Sequence, residues 1–188
     1  MTLRLFFPIL ALFLGDCASA PGIDVPFVGT PQLVVDEMLR LASLHEGDVL
    51  YDLGCGDGRI PIAAAKRYGI RAYGVDADPQ RIAEANENAR REGVSHLVEF
   101  RRADLFATDF SSATVVTLYL LPELNDKLKP KLLALRPGAR VVSHQWGIRG
   151  WDPDRQVEME GERIFLWTVP AKDAGKAANR RSREGGNP

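Results

Sequence analysis

The sequence predicts an α/β domain: a mostly parallel sheet with helices on both faces, finished by an antiparallel hairpin. Three observations predict it. Short apolar runs of strand length alternate with segments whose apolar residues recur at helical spacing, which is the pattern of βαβ units. The first of these runs feeds a glycine cluster, Gly54-Cys55-Gly56-Asp57-Gly58, that opens a helix. The last two apolar pieces, at 157–160 and 164–169, flank Gly161 and read as a hairpin.

The elements follow in order. Thr30-Pro31 opens the first helix, with the hydroxyl as N-cap and the proline at the first helical position. Leu33, Val34, Met38 and Leu41 carry its apolar stripe to about Leu44. Gly47-Asp48 turns the chain into a strand at 49–53, and a helix at 59–68 is closed by Gly69. A second strand at 71–76 ends on Asp76. Asp78-Pro79 then starts a helix carrying Ile82, Ala85 and Ala89 up to Gly93. Strands follow at about 97–102 and 113–118. Pro122 starts a helix through about Leu135, and Pro137-Gly138 turns into a strand near 139–144. The pattern contains no internal repeat and no second domain, so the folded unit is expected at 21–170.

Composition narrows the function classes. The chain has 188 residues, 45% hydrophobic and 26% charged, with a net charge of -1, which excludes a collagen, a coiled coil, a repeat array and a polytopic membrane protein. Residues 171–188 are basic, rich in Gly and Asn and without apolar periodicity, and are expected to be a disordered, solvated tail. That tail carries a net +3 and leaves the remainder at -4, so nothing draws the domain toward nucleic acid. Cys17 and Cys55 exclude a disulfide framework, and His45, His96 and His144 are too widely spaced to announce a metal site.

At the other end, residues 5–14 form an uncharged apolar run behind Arg4, followed by Gly15, Ala18, Ser19 and Ala20. Ten helical residues reach only about 15 Å, half a bilayer core, so the layout is that of a secretory signal and not of a membrane span. Leu14-Gly15-Asp16-Cys17 also resembles a bacterial lipoprotein box, although Asp16 replaces its small residue and Pro21 hinders cleavage after Ala20. Residues 1–20 are therefore expected to export the domain or anchor it at a membrane. If they are not a signal, the protein stays in the cytoplasm.

The glycine turn lies at the carboxyl end of the first strand, where open α/β sheets bind ligands. It lacks the Gly-Lys-Ser/Thr of a phosphate loop. Its spacing, G-x-G-x-G, also brings the third glycine one residue too early for the dinucleotide fingerprint, which disfavours an NAD-dependent oxidoreductase. Asp52 and Asp57 beside the turn repel phosphate and welcome a cation. Asp76 ends the second strand, where a carboxylate can accept both ribose hydroxyls, and Asp104-Leu105 follows the third, where a carboxylate and an amide can read an adenine edge. A cationic adenosyl ligand fits all three strand ends.

Tyr51-Asp-Leu-Gly-Cys-Gly-Asp-Gly-Arg59, Gly74-Val-Asp76 and Ala103-Asp104-Leu105 together resemble the successive motifs of the class I S-adenosylmethionine-dependent methyltransferases, over about residues 26–169. The resemblance implies a Rossmann-like seven-stranded sheet in the order 3-2-1-4-5-7-6, with the seventh strand antiparallel. It implies S-adenosylmethionine as cofactor, with Gly54 and Gly56 facing its methionine part, Asp52 near its ammonium, Asp76 on the ribose, and Asp104 with Leu105 on the adenine. Val28-Gly-Thr30-Pro31, Asp57-Gly-Arg59 and Val115-Val-Thr-Leu-Tyr-Leu-Leu-Pro122 resemble, more narrowly, the seven-strand lysine methyltransferases of the ATP synthase c-subunit and the adenine nucleotide translocase. That narrower resemblance implies a protein substrate, including membrane proteins, and a contact of Thr30 with cofactor or substrate.

On the acceptor side the residues leave alternatives open. Tyr119 is the candidate catalytic residue, because it ends the fourth strand facing the transferred methyl. It reads equally well as a core tyrosine. Glu123 reads as a helix N-terminal charge, His144 as a structural hydrogen-bonder or a base, and Trp146 and Trp151 as a substrate rim or a cover for the sheet edge. A small-molecule methyltransferase and a noncatalytic S-adenosylmethionine-binding module are the rival functions.

Overall fold

The computed structural model describes residues 28–171. The expected export segment at 1–20 with Cys17, and the basic tail beyond residue 171, lie outside the described residues. The described chain runs α1 (Gln32–Leu41), β1 (Val49–Leu53), α2 (Arg59–Tyr68), β2 (Arg71–Asp76), α3 (Pro79–Arg91), β3 (Val98–Arg102), β4 (Val115–Leu118), α4 (Pro122–Leu133), β5 (Arg140–His144), β6 (Arg155–Met159) and β7 (Glu162–Thr168). The strands form one sheet in the order β3-β2-β1-β4-β5-β7-β6. β1 to β5 pair in parallel, and β7 runs antiparallel to both β5 and β6. This is the expected architecture, strand order included.

Alternation along the strands sorts the core into two layers. Leu50, Ala72, Val115, Val142, Ile164 and Leu166 point to one face, where α1 and α2 seal them with Val34, Val35, Met38, Leu39, Ile60 and Ala64. Leu53, Val116, Leu118, Val141, Phe165 and Trp167 point to the other, under Leu128 and Leu132 of α4 and Phe110 of the β3–β4 loop. α3 closes the first layer at its β3 edge, where Ala85 and Ala89 meet Phe100. Among the described residues, three helices thus cover one face, whereas the second has one helix and a turn-rich loop.

Two local expectations are corrected. Leu33 is 57% exposed, and Val35 and Leu39 take the buried stripe instead. Thr30 does not cap α1: the cap position is Pro31, with no side-chain cap bond. The Thr30 hydroxyl is buried and turned toward His144, a partner 114 residues away. Elsewhere the local reading of the helix ends holds, since Asp78 accepts the Gln80 amide at 2.7 Å and Gly69 ends α2 in the left-handed region.

Candidate active site

Gly54, Gly56 and Gly58 have φ of 82°, 52° and 78°, a left-handed conformation at every second residue that glycine adopts without a Cβ penalty. The amides of Gly54 and Cys55 both reach the Val75 carbonyl, at 2.8 and 3.0 Å, so the turn is sewn to the end of β2. A Cβ on Gly54 would stand 2.7 Å from the Leu120 side chain just past β4. On Gly58 it would stand 2.6 Å from the Phe100 ring and 2.9 Å from Ala85. Gly58 therefore serves packing, bringing α2 close to β3 and α3. The N-terminus of α2 opens at the turn and contributes positive potential there.

The acids meet around this turn. Asp52 is buried on the same face as Thr117, its register partner on β4, which donates to it at 2.7 Å. Burial pushes its pKa up to about 7 against the pull of the Thr117 hydroxyl, and the charges of Asp76 and Asp57 push the same way. Asp76 accepts the Gly56 amide on Oδ2 at 2.9 Å and the Asp78 amide on Oδ1 at 2.9 Å, so it shapes the glycine turn it faces. Asp104 is exposed past β3 and accepts the Phe106 amide at 2.8 Å, with Leu105 half-buried beside it. The structure thus brings Asp52, Gly54, Gly56 and Asp76 to the ends of β1 and β2, with Asp104 and Leu105 at the end of β3. Cys55 is buried, and its thiol is pushed far above the usual range by desolvation and by Asp52, leaving it unreactive.

The ends of β4, β5 and β7 form a second group. β4 stops at Leu118, so Tyr119 is not the strand's last residue but the first beyond it, half-buried. Its ring lies on the His144 imidazole, with centroids 4.0 Å apart. His144 is fully buried at the end of β5. Its Nε2 is 2.9 Å from a Glu162 carboxylate oxygen, and its Nδ1 is 3.3 Å from the Thr30 hydroxyl. Burial lowers the His144 pKa even though Glu162 opposes the shift. Burial raises that of Tyr119, with Glu162 adding to it. Trp146 is 37% exposed beside the site, whereas Trp151 packs on Trp167 of the interior strand β7 and accepts its indole N–H on the backbone carbonyl at 2.8 Å, so it covers a sheet face and not the edge. Glu123 is exposed in the first turn of α4, as a helix-terminal charge.

Sequence reasoning assigns no role to the two residues that tie these groups together. Arg59 grips both oxygens of Asp57, at 2.9 and 2.6 Å, and donates to the Thr30 carbonyl at 2.8 Å, fastening the segment before α1 to the glycine turn. A Cβ on Gly29 would lie 2.5 Å from its guanidinium, so a larger residue there would push the end of the Arg59 side chain aside. The Asp57-Gly58-Arg59 ending of the motif is the available signal. Glu162, which anchors His144, carries none: its role exists only once β7 pairs with β5 and places Ile164 beside His144.

A Rossmann-like sheet in this order, with a glycine turn sewn to an acid at the end of β2, defines a class I methyltransferase. The model of the ANTKMT methyltransferase domain matches residues 52–155, and the chain belongs to that family. It is 47% identical over 151 residues to a protein-lysine N-methyltransferase of Saccharolobus islandicus, covering 77% of this chain and 94% of the relative. It is 34% identical over 158 residues to the lysine N-methyltransferase of the ATP synthase c-subunit from Rattus norvegicus, covering 83% of this chain and 72% of the relative. Among solved structures, a Salinibacter ruber protein described as an RNA methyltransferase, in complex with S-adenosyl-L-homocysteine, superposes with a TM-score of 0.76. It is 53% identical, over 77% of this chain and 95% of that one. The chain is accordingly an S-adenosylmethionine-dependent methyltransferase. The residues fit that cofactor: the strand ends offer carboxylates to a cation and to ribose hydroxyls, and at Gly54 there is no Cβ to fill the space in front of Leu120.

Proposed function

We propose that the acceptor is a lysine amine of a protein, delivered to the wall formed by Tyr119, His144 and Glu162. The observation that carries this reading is Glu162, a partly exposed carboxylate whose charge reaches both Tyr119 and His144, at the ends of the strands opposite the cofactor turn. An anionic wall suits a cationic amine and opposes a polyanion. The net charge of -4 over residues 1–170 points the same way, against RNA as substrate. The names of the Saccharolobus and Rattus relatives support lysine, and the description of the Salinibacter structure supports RNA.

Bound S-adenosylmethionine supplies a methyl group already activated on a sulfonium. The chain's residues then have to bind, orient and exclude water. In this reading Asp76 takes the ribose hydroxyls with its remaining lone pairs, Gly54 and Gly56 admit the methionine part, and Asp52 faces its ammonium. Asp104 and the Leu105 amide meet the adenine. A lysine amine has an ordinary pKa of about 10.4 and reacts only when deprotonated, which burial against an aromatic wall favours. Tyr119 directs the amine lone pair by accepting one of its N–H bonds, and Thr30 acts through His144. Residues 1–20 hold the domain at a membrane or carry it out of the cytoplasm, bringing it to membrane-protein substrates. Fractionation of cells making the chain with and without residues 1–20 tests this, and an unchanged soluble distribution contradicts it.

The test of the acceptor uses the full chain with methyl-tritiated S-adenosylmethionine and the protein and RNA fractions of its host. Label that resists nuclease and appears as methyl-lysine after acid hydrolysis supports the reading. Label confined to nuclease-sensitive material overturns it.

A further inference from the structure

We propose that Glu162 and His144 are positioning residues of the methyl acceptor site: Glu162 holds His144 as the neutral Nε2–H tautomer, and that imidazole fixes the Tyr119 ring and the Thr30 hydroxyl. The proposal rests on the reading that Tyr119 lines the acceptor wall. Four elements distant in sequence converge on one fully buried ring. Glu162 opens β7, His144 ends β5, Tyr119 follows β4, and Thr30 precedes α1.

The hydrogen-bond inventory decides the tautomer. A carboxylate at 2.9 Å from Nε2 accepts, so Nε2 carries the proton. A ring kept neutral by burial then offers a lone pair on Nδ1, and the Thr30 hydroxyl 3.3 Å away donates to it. Thr30 is thereby fixed as a donor toward the ring, and its carbonyl is held from the other side by Arg59 at 2.8 Å. The chain of contacts Asp57, Arg59, Thr30, His144, Glu162 runs unbroken from the glycine turn to the far wall. The Tyr119 ring, seated 4.0 Å from the imidazole, is placed by that chain. Gln145, next to His144, has φ of 66° and trades hydrogen bonds with the Arg163 backbone, which keeps the end of β5 beside the start of β7.

The experiment is a long-range ¹H–¹⁵N correlation spectrum of the full chain at neutral pH, the His144 signals being assigned by removing the exposed His45 and His96 through His45→Asn and His96→Asn. The expected result is a neutral ring protonated on Nε2 in the wild type and loss of that single-tautomer signature in Glu162→Ala. A ring protonated on Nδ1, an imidazolium, or an unchanged signature in Glu162→Ala overturns the proposal. In the methyl-transfer assay on host protein, Glu162→Ala lowers kcat at least about tenfold. Glu162→Gln, whose amide carbonyl still accepts from Nε2, recovers most of it, and the Kd for S-adenosylmethionine stays within about twofold in both. Equal kcat in Glu162→Ala and wild type, or an equal loss of cofactor affinity, overturns it as well. Should Glu162→Ala not fold, Glu162→Gln keeps the test: it must retain the Nε2–H tautomer. A wild type that transfers no label to protein counts against the lysine reading alone, because the tautomer is measured without an acceptor.

Discussion

The two halves of the site are built differently. At the ends of β1, β2 and β3, function resides in the backbone and in acids at strand ends: three glycines of positive φ, and an acid on β2 receiving an amide from the turn. At the ends of β4, β5 and β7 it resides in side chains that meet across the fold, with Thr30 and His144 separated by 114 positions and His144 and Glu162 by 18. The first half, the proposed cofactor site, tolerates little variation in backbone path. The second is the proposed acceptor wall, and its geometry rests on replaceable side chains held by one buried ring.

If the halves are separable, substitutions in one leave the other's measurable intact. The largest expected effect is that of Tyr119→Ala on transfer. The rate of tritium incorporation into host protein should fall at least about a hundredfold, since both a wall and an orienting hydroxyl are lost. Asp76→Ala, in the other half, should weaken S-adenosylmethionine binding at least about tenfold by calorimetry without unfolding the domain, because the carboxylate shapes the turn and, in the proposed reading, holds the ribose. A folded Asp76→Ala protein of unchanged affinity removes the ribose assignment.

Asp52 gives a smaller, pH-dependent effect. With its pKa raised to about 7, its anion becomes available to a cationic ligand only as pH rises, so affinity should increase about fivefold from pH 6 to pH 7, and Asp52→Asn should abolish the dependence. The same shift acts oppositely on stability. A carboxyl held neutral in the folded state and free to ionise in the unfolded one stabilises fully below 3.8, and that contribution is lost as pH rises toward about 7. The two tryptophans differ in which measurable they move. Trp146→Ala should raise KM for protein several-fold with stability unchanged, whereas Trp151→Ala should cost about 3 kcal/mol in urea denaturation through its packing on Trp167.

The contrast between the halves also explains what the sequence reveals. The strands, hairpin and glycine turn are legible because periodicity and glycine spacing are local, whereas the strand order follows only from the resemblance to the class I methyltransferases. Asp52, Asp76 and Asp104 are legible because each sits at or near the end of a strand. Thr30 reads as a cap because a hydroxyl before Pro31 satisfies the local rule, and only the tertiary fold supplies His144 as its partner. Leu33 reads as core because its spacing fits a stripe that the sheet meets further round the helix, at Val35 and Leu39. Glu162 leaves no local mark, since its function begins with the antiparallel pairing of β5 and β7.

The most direct test of two separable halves is a calorimetric titration of the full-length Tyr119→Ala protein with S-adenosylmethionine, beside the wild type. One-to-one binding with the same Kd within about twofold is expected, despite the loss of transfer. A Kd weakened about tenfold or more in a folded protein would contradict it, and would mean that Tyr119 belongs to the cofactor site and not to the acceptor wall.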